Sequence, residues 1–71
     1  NPKAKIDVLA QKYSDGKQSR LDGLTVEYDD WWFNCRASNT EPLLRLNLEA
    51  KTERTMETKS AEVLDIIRGG G

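Results

Sequence analysis

Near the start of the chain, apolar side chains recur at the three- and four-residue steps of an amphipathic helix. The stripe consists of Ile6, Leu9, Ala10 and Tyr13. Asn1 suits the cap of this helix and Pro2 its first position, where a missing N–H breaks no hydrogen bond. The segment Ser14-Asp15-Gly16 predicts its end, with Gly16 in the left-handed conformation that closes many helices.

The period of the pattern then shortens to two, which is typical of strands. From Leu24 to Tyr28 apolar and polar residues alternate, so we predict a strand that is buried on one face. The pair Asp22-Gly23 favours a turn or bulge just before it, and residues 17–21 predict a short strand that pairs with it. The pair Asp29-Asp30 predicts the next turn.

Two further strands, 31–37 and 44–50, are predicted on either side of a loop, 38–42, whose residues favour turns. The apolar face of the first consists of Trp31, Phe33, Cys35 and Ala37, and its other face of Trp32, Asn34 and Arg36. We expect one tryptophan in the core and the other as cover at the sheet edge. The polar residues of the second strand, which we interpret as a solvated face, are Arg45, Asn47 and Glu49.

A last helix is predicted to begin after Thr52, whose hydroxyl suits the cap, with Glu53 in the first turn and Gly69 at the end. Its inward stripe is expected to consist of Met56, Ser60, Val63, Leu64 and Ile67. The order helix, three or four antiparallel strands, helix predicts an α+β fold. This is a two-layer sandwich with the terminal helices on one sheet face and the other face open.

Charge and length exclude several classes of function. The 11 basic and 12 acidic residues give a net charge of −1, whereas nucleic-acid arms and polybasic membrane anchors need a large basic excess. No apolar run approaches the roughly 20 residues of a membrane helix, and we find no signal peptide. The 71 residues suffice for one small domain. Because the chain begins Asn-Pro and ends in glycines, we expect a piece of a longer protein; a processed or engineered small protein is the alternative.

The composition also argues against an active site within this chain. With one cysteine and no histidine, the chain offers neither an internal disulfide nor a zinc site. Cys35 lies on an apolar strand face, so we interpret it as a buried hydrophobic residue rather than a reactive thiol. Asp29 and Asp30 fall short of a magnesium or calcium site. We therefore predict no catalytic residue and no metal ligand here, and a reducing, cytoplasmic setting.

The loop after the third strand concentrates groups that bind oxyanions. Arg36 offers a planar fork for bidentate contact, and Ser38, Asn39 and Thr40 add hydroxyl and amide donors. Backbone N–H groups in a tight loop also form anion nests, and Pro42 would stiffen its exit. On composition alone, an ordinary polar hairpin loop after a surface arginine is the stronger alternative. The predicted phosphate-binding residues are Arg36, Ser38, Asn39, Thr40 and Arg45.

The stretch 32–45, which contains the run Arg36-Ala37-Ser38-Asn39-Thr40-Glu41-Pro42, closely resembles the signature of the C-terminal domain of the phosphohexomutases, the phosphomannomutase and phosphoglucomutase enzymes. The resemblance extends back through Asp22-Gly23 and the strand that follows, and forward through residues 46–50 into the last predicted helix. A run of this length is much more specific than a bare glycine pattern. One departure is Asp30-Trp31, where many relatives have a glycine.

The resemblance implies that residues 1–71 form the last domain of a four-domain enzyme with a TATA-binding-protein-like α+β fold in this part. Such an enzyme interconverts hexose 1-phosphate and hexose 6-phosphate through a phosphoserine and a bisphosphorylated sugar. Mg²⁺ would be bound by a domain absent from this chain, with no cofactor bound here. The loop would clamp the phosphate that is not reacting. Arg36 would supply positive charge. Ser38, Asn39 and Thr40 would supply hydrogen-bond donors, and Glu41 and Pro42 would shape the loop.

We therefore expect a hexose phosphate and the other domains of its own chain as partners, neither nucleic acid nor membrane, and no mutase activity for the isolated chain. The alternative is a non-catalytic module whose open sheet face, with Trp32 and Arg45, binds a protein or a single-stranded nucleic acid. The phosphate hypothesis requires Arg36 to share a cavity with its neighbouring hydroxyls. A structural ion pair that turned Arg36 away from them would contradict it.

Overall fold

The computed structural model describes residues 2–38 and 44–70. The elements are α1 (Pro2–Lys12), β1 (Lys17–Ser19), β2 (Leu24–Glu27), β3 (Trp31–Ala37), β4 (Leu44–Ala50) and α2 (Glu53–Asp65). A wider helical turn, Ile66–Gly70, continues α2. The strands form one antiparallel sheet in the order β1-β2-β3-β4, so the predicted α+β class is confirmed. Neither helix of the described ranges is long and apolar enough to cross a membrane.

The strand register collects the apolar residues on one face of the sheet. Leu24 lies opposite Cys35, and Val26 opposite Phe33. Phe33 in turn lies opposite Leu48. Because successive side chains of a strand point to opposite faces, the residues between these form a second, polar face.

Both helices pack on the apolar face, and the core lies between them and the sheet. Helix α1 packs across β2 and β3, whereas α2 packs against β4. The buried residues are Ile6, Leu9, Tyr13, Leu24, Val26, Trp31, Phe33, Cys35, Val63 and Ile66. Within the described part of the chain no helix covers the polar face, as the sequence predicts.

The inner face of α2 differs from the predicted stripe. Met56, expected in the core, is 40% exposed, and Ile66, which the stripe omits, is buried. Two polar residues face inward instead. The ammonium of Lys59 lies 5.3 Å from the centre of the Trp31 ring. The hydroxyl of Tyr13 donates to Glu62 Oε1 at 2.9 Å. Together with the burial of Val63 and Ile66, these contacts show that residues 59, 62, 63 and 66 face the sheet.

The predicted helix ends are partly confirmed. Thr52 caps α2, because its hydroxyl oxygen accepts a hydrogen bond from the Thr55 N–H at 3.1 Å. The prediction for Gly16 is wrong: α1 ends at Lys12, and Gly16 does not have a positive φ. Gly16 is needed for close packing instead, because a Cβ there would lie 2.5 Å from Val26 Cγ1. The predicted cap Asn1 lies outside the described residues.

The two ends of β3 also correct the sequence prediction. Trp31 is buried, but Trp32 lies half-buried on the open face of β3, an inner strand, so it does not cover the sheet edge. Ala37 is exposed, so the buried face of β3 ends at Cys35. Beyond Cys35 the helices no longer cover β3, and the last residues of the strand reach the pocket described next.

Candidate functional site

A pocket of about 800 Å³ lies at one end of the sheet. It forms where the first turns of α1, the turn between β1 and β2, the end of β3 and the start of β4 meet. Arg36 and Ser38 line it from β3 and the residue that follows it, and Arg45 from β4. The three predicted site residues that the structure describes therefore share one cavity.

The pocket concentrates positive charge in a chain whose net charge is −1. Among the described residues that line it, one is a carboxylate, Asp22, and four are cationic: Lys3, Arg20, Arg36 and Arg45. Helix α1 has no acidic residue in its first turn, so the positive end of its dipole is not neutralised there. This electrostatic environment favours a multiply charged anion.

Arg36 and Arg45 are cross-strand partners in the β3–β4 register. Like charges placed directly opposite each other destabilise an antiparallel pair, and Cβ atoms in such pairs are about 4.5–5.5 Å apart. No carboxylate of the described residues forms an ion pair with Arg45. An anion between the two guanidinium groups would offset their repulsion.

Arg36 also forms an ion pair with Asp22. Its Nη1 lies 3.3 Å from Oδ2 and 3.5 Å from Oδ1 of the carboxylate. The two side chains are 45% and 73% exposed, and such surface pairs contribute about 0–1 kcal/mol. The pair leaves Arg36 in the cavity that Ser38 lines, whereas Thr40, the other neighbouring hydroxyl, lies outside the described residues.

The turn that carries Asp22 is fixed against β3. Gly23 has a φ of 67°, and a Cβ there would lie 2.5 Å from Arg36 Cβ and 2.6 Å from the carbonyl oxygen of Cys35. The side-chain amide of Asn34 donates to the Asp22 carbonyl at 2.7 Å and to Thr25 Oγ1 at 3.0 Å. The turn and the base of Arg36 therefore form one packed unit.

Part of this site is missing from the sequence prediction. The segment around Asp22-Gly23 is predicted only as a turn, and Lys3 and Arg20, which line the pocket, have no predicted role. Arg20 is paired with Asp7 of α1 at 3.3 Å. The charged residues Arg20 and Asp22 in the turn between β1 and β2 were a usable sequence signal for the site. The packing of α1 beside this turn, in contrast, depends on the tertiary fold. Asn39, Thr40, Glu41 and Pro42, predicted to complete the site, lie outside the described residues.

The other candidate chemistry does not assemble into a site. Cys35 is fully buried, and burial raises the pKa of its thiol from 9.0 to about 11, so the interpretation as a buried hydrophobic residue is confirmed. Residues 2–38 and 44–70 contain no group of three or more histidine, cysteine, aspartate or glutamate side chains placed to hold a metal ion.

Comparison with known proteins decides the family. Residues 2–66 match the sequence profile of the family described as phosphoglucomutase/phosphomannomutase, C-terminal domain. The chain belongs to this family. The match covers both helices and all four strands, so the phosphohexomutase resemblance of the sequence is confirmed.

Relatives of this phosphohexomutase domain are named for more than one sugar. The chain is 45% identical over 62 residues to a phosphomannomutase of Methanocaldococcus jannaschii, which covers 87% of this chain and 14% of the relative. It is 38% identical over 69 residues to a phosphomannomutase of Salmonella montevideo, covering 93% of this chain and 15% of the relative. A probable phosphoglucosamine mutase of Pyrococcus horikoshii is 42% identical over 62 residues, covering 87% of this chain and 14% of the relative. The chain thus spans about one seventh of their length.

Proposed function

We propose that this chain is the substrate-phosphate-binding domain of a phosphohexomutase, an enzyme that interconverts hexose 1-phosphate and hexose 6-phosphate. The observation that supports it most strongly is the placement of Arg36 opposite Arg45 on the rim of a cationic pocket that also contains Ser38. The relatives' names differ in the sugar, and phosphate is the group that such substrates share.

In this proposal each side chain has one task. Arg36 donates N–H groups to phosphate oxygens in a bidentate contact, and Arg45 adds a second positive charge from the facing strand. The hydroxyl of Ser38 donates a hydrogen bond to a further phosphate oxygen. Asn39 and Thr40 would complete the contacts from the loop, whose shape depends on Glu41 and Pro42.

The clamp would hold the phosphate that is not reacting. Binding energy from a remote group orients the sugar and favours closure of the domain without entering the bond-breaking step. Because either phosphate must fit in turn, the clamp recognises phosphate geometry and leaves the sugar's orientation open. The phosphoserine and the Mg²⁺ site would belong to other domains of a cytoplasmic enzyme, and this chain alone would lack mutase activity.

The experiment is a kinetic comparison in a full-length phosphohexomutase that carries this domain. Arg36→Ala removes charge-assisted hydrogen bonds, so kcat/KM for the hexose phosphate should fall by an amount equivalent to about 1.5–3 kcal/mol. Arg54→Ala is the matched control, because Arg54 is an exposed arginine in the first turn of α2, beyond the opposite end of β4. Equal kcat/KM for the Arg36 variant and the unsubstituted enzyme would overturn the proposal.

A further inference from the structure

The pocket contains a carboxylate where the proposed function calls for positive charge. Asp22 is the one acidic residue among the described residues that line it. A carboxylate close to a bound phosphate weakens binding, because like charges repel even in water. The position of Asp22 beside Arg36 therefore needs an explanation other than the affinity for phosphate.

Asp22 is held in place by the surrounding structure. The Asn34 amide donates to its carbonyl oxygen at 2.7 Å, and Gly23 packs against the backbone of Arg36. Both carboxylate contacts reach the same nitrogen of Arg36, Nη1, at 3.3 and 3.5 Å. These contacts leave the Nε and Nη2 donors of the guanidinium unengaged by Asp22, so the carboxylate orients the arginine through one nitrogen.

We propose that Asp22 is a positioning residue that acts as an internal counter-ion for Arg36. Without ligand it holds the guanidinium at the rim of the pocket and offsets part of the repulsion from Arg45. An incoming phosphate displaces the carboxylate from Nη1. The pair is exposed and weak, so displacement costs little.

The consequence is a clamp that exchanges its ligand readily. This inference rests on the proposed function, in which one enzyme must release a phosphate and bind the other phosphate of the same sugar. A competitor inside the pocket lowers the affinity for each phosphate and speeds its departure, since most differences in affinity among variants of one site lie in the rate of dissociation. Asp22 thus favours turnover over tight binding.

The test is a titration of the 71-residue chain with inorganic phosphate at constant ionic strength, followed by NMR. The signals to follow are the backbone amides of Arg36 and Arg45 and the Nε–H of Arg36. Asp22→Asn should tighten phosphate binding by about threefold to tenfold, because a charge close to the anion is removed. Asp22→Glu keeps the charge and should bind phosphate as the unsubstituted chain does. In the ligand-free Asn variant, the Arg36 Nε–H signal should move.

Asp29→Asn is the matched control, because Asp29 is an exposed aspartate at the opposite end of β2. It changes the net charge equally and should leave the phosphate Kd within about twofold, since charges beyond a Debye length are screened. If circular dichroism shows that Asp22→Asn does not fold, Asp22→Ser removes the same charge.

The outcomes separate the two proposals. Phosphate-dependent shifts at Arg36 together with an unchanged or larger Kd in Asp22→Asn would overturn the counter-ion role and leave the proposed function standing. No phosphate-dependent shift at Arg36 or Arg45 in any of the folded chains would overturn both. Tighter binding in both the Asn and Glu variants would show that turn geometry, rather than charge, sets the affinity, and would also overturn the counter-ion role.

Discussion

Arg36 and Arg45 lie directly opposite each other on β3 and β4. A sheet selected for stability alone would place an opposite charge or an uncharged residue at one of these positions, because cross-strand pairs of opposite charge stabilise and like-charged pairs destabilise. The positions lie where the sheet meets the cationic pocket. The pair is therefore better explained by the phosphate binding proposed above than by what it contributes to folding.

Arg45→Gln should make the ligand-free chain more stable and the phosphate complex weaker. Removing one of two facing charges should raise the free energy of unfolding by about 0.2–1 kcal/mol in low-salt buffer. Urea denaturation with and without phosphate measures both effects, because a ligand that binds only the folded state raises its stability. Arg54→Gln is the control for phosphate binding and should leave the gain in stability with phosphate unchanged. A loss of stability in Arg45→Gln without phosphate would show that the pair does not repel.

Gly23→Ala should destabilise the chain strongly. The positive φ alone costs an alanine about 1–2 kcal/mol, and overlap with packed atoms typically adds about 1–3 kcal/mol. The overlapping atoms are Arg36 Cβ and the Cys35 carbonyl oxygen, at 2.5 and 2.6 Å. The control is Gly69→Ala, since Gly69 also has a positive φ, of 100°, but its nearest neighbour, Lys5 Nζ, would be 3.5 Å from the new Cβ.

Chemical denaturation followed by circular dichroism gives the free energy of unfolding for both glycine variants. A domain of this size has only roughly 3–5 kcal/mol of stability, so Gly23→Ala should lose most of it, whereas Gly69→Ala should lose only the smaller cost of the positive φ and stay folded. Equal losses of unfolding free energy in the two variants would mean that the close approach of Gly23 to Arg36 does not affect stability.

Asn34→Ala should loosen the turn that holds Asp22. It removes the hydrogen bonds to the Asp22 carbonyl and to Thr25 Oγ1, at 2.7 and 3.0 Å, and should cost about 0.5–1.5 kcal/mol. Its cross-strand partner Asn47 has no side-chain hydrogen bond within the described part of the chain, so Asn47→Ala is a matched control, expected to stay within about 0.5 kcal/mol. Faster amide hydrogen exchange at residues 22–24 should accompany the change in Asn34→Ala alone.

The strands were predictable because their chemistry is local. Alternation from Leu24 onward and from Leu44 to Ala50 fixed which side chains face the helices, and the β2–β3 and β3–β4 registers agree with it. Apolar spacing predicted Val63 and Ile67 on the inner face of α2, and both contribute to the core, but it did not predict the polar residues of that face. Lys59 and Glu62 face inward because Trp31 presents a ring to the ammonium and Tyr13 a hydroxyl to the carboxylate, and neither contact is encoded near α2.

The residues of the site also divide into those that the local sequence predicts and those that depend on tertiary packing. The sequence alone brought Arg36 and Ser38 together, since one residue, Ala37, separates them along the chain, and Arg45 followed from hairpin geometry. Lys3 reaches the pocket because α1 packs across β2 and β3, and Arg20 lies in the turn between β1 and β2, where it pairs with Asp7 of α1. Asp22 becomes part of the site through a glycine that allows its turn to pack on β3. Contacts of this kind depend on the packed fold.

Cys35 should react slowly with thiol reagents in the folded chain. It is fully buried, and burial raises its pKa from 9.0 to about 11, so at pH 8 little thiolate is present. Labelling with an aromatic disulfide reagent should accelerate in urea in proportion to the unfolded fraction. Rapid labelling without denaturant would contradict the buried assignment.

The same thiol predicts a dependence of stability on pH. Between pH 9 and 11 the folded chain keeps a proton that the unfolded chain loses, so the free energy of unfolding should fall as the pH rises. Comparison with Cys35→Ala at pH 9–10 isolates this contribution. Burial also raises the pKa of Tyr13 and Tyr28 above their ordinary value of 10.0, which adds a loss of the same sign at higher pH.

The central claim is that the pocket containing Arg36, Ser38 and Arg45 binds the phosphate of a sugar phosphate. The most direct measurement is a titration of the 71-residue chain with mannose 1-phosphate, followed by amide NMR, with unphosphorylated mannose as the control. We predict that the amides of residues 36–40 and of Arg45 shift first, and that mannose alone shifts none of them. Shifts confined to the open sheet face around Trp32 and Asn47, or equal shifts with mannose, would contradict the account.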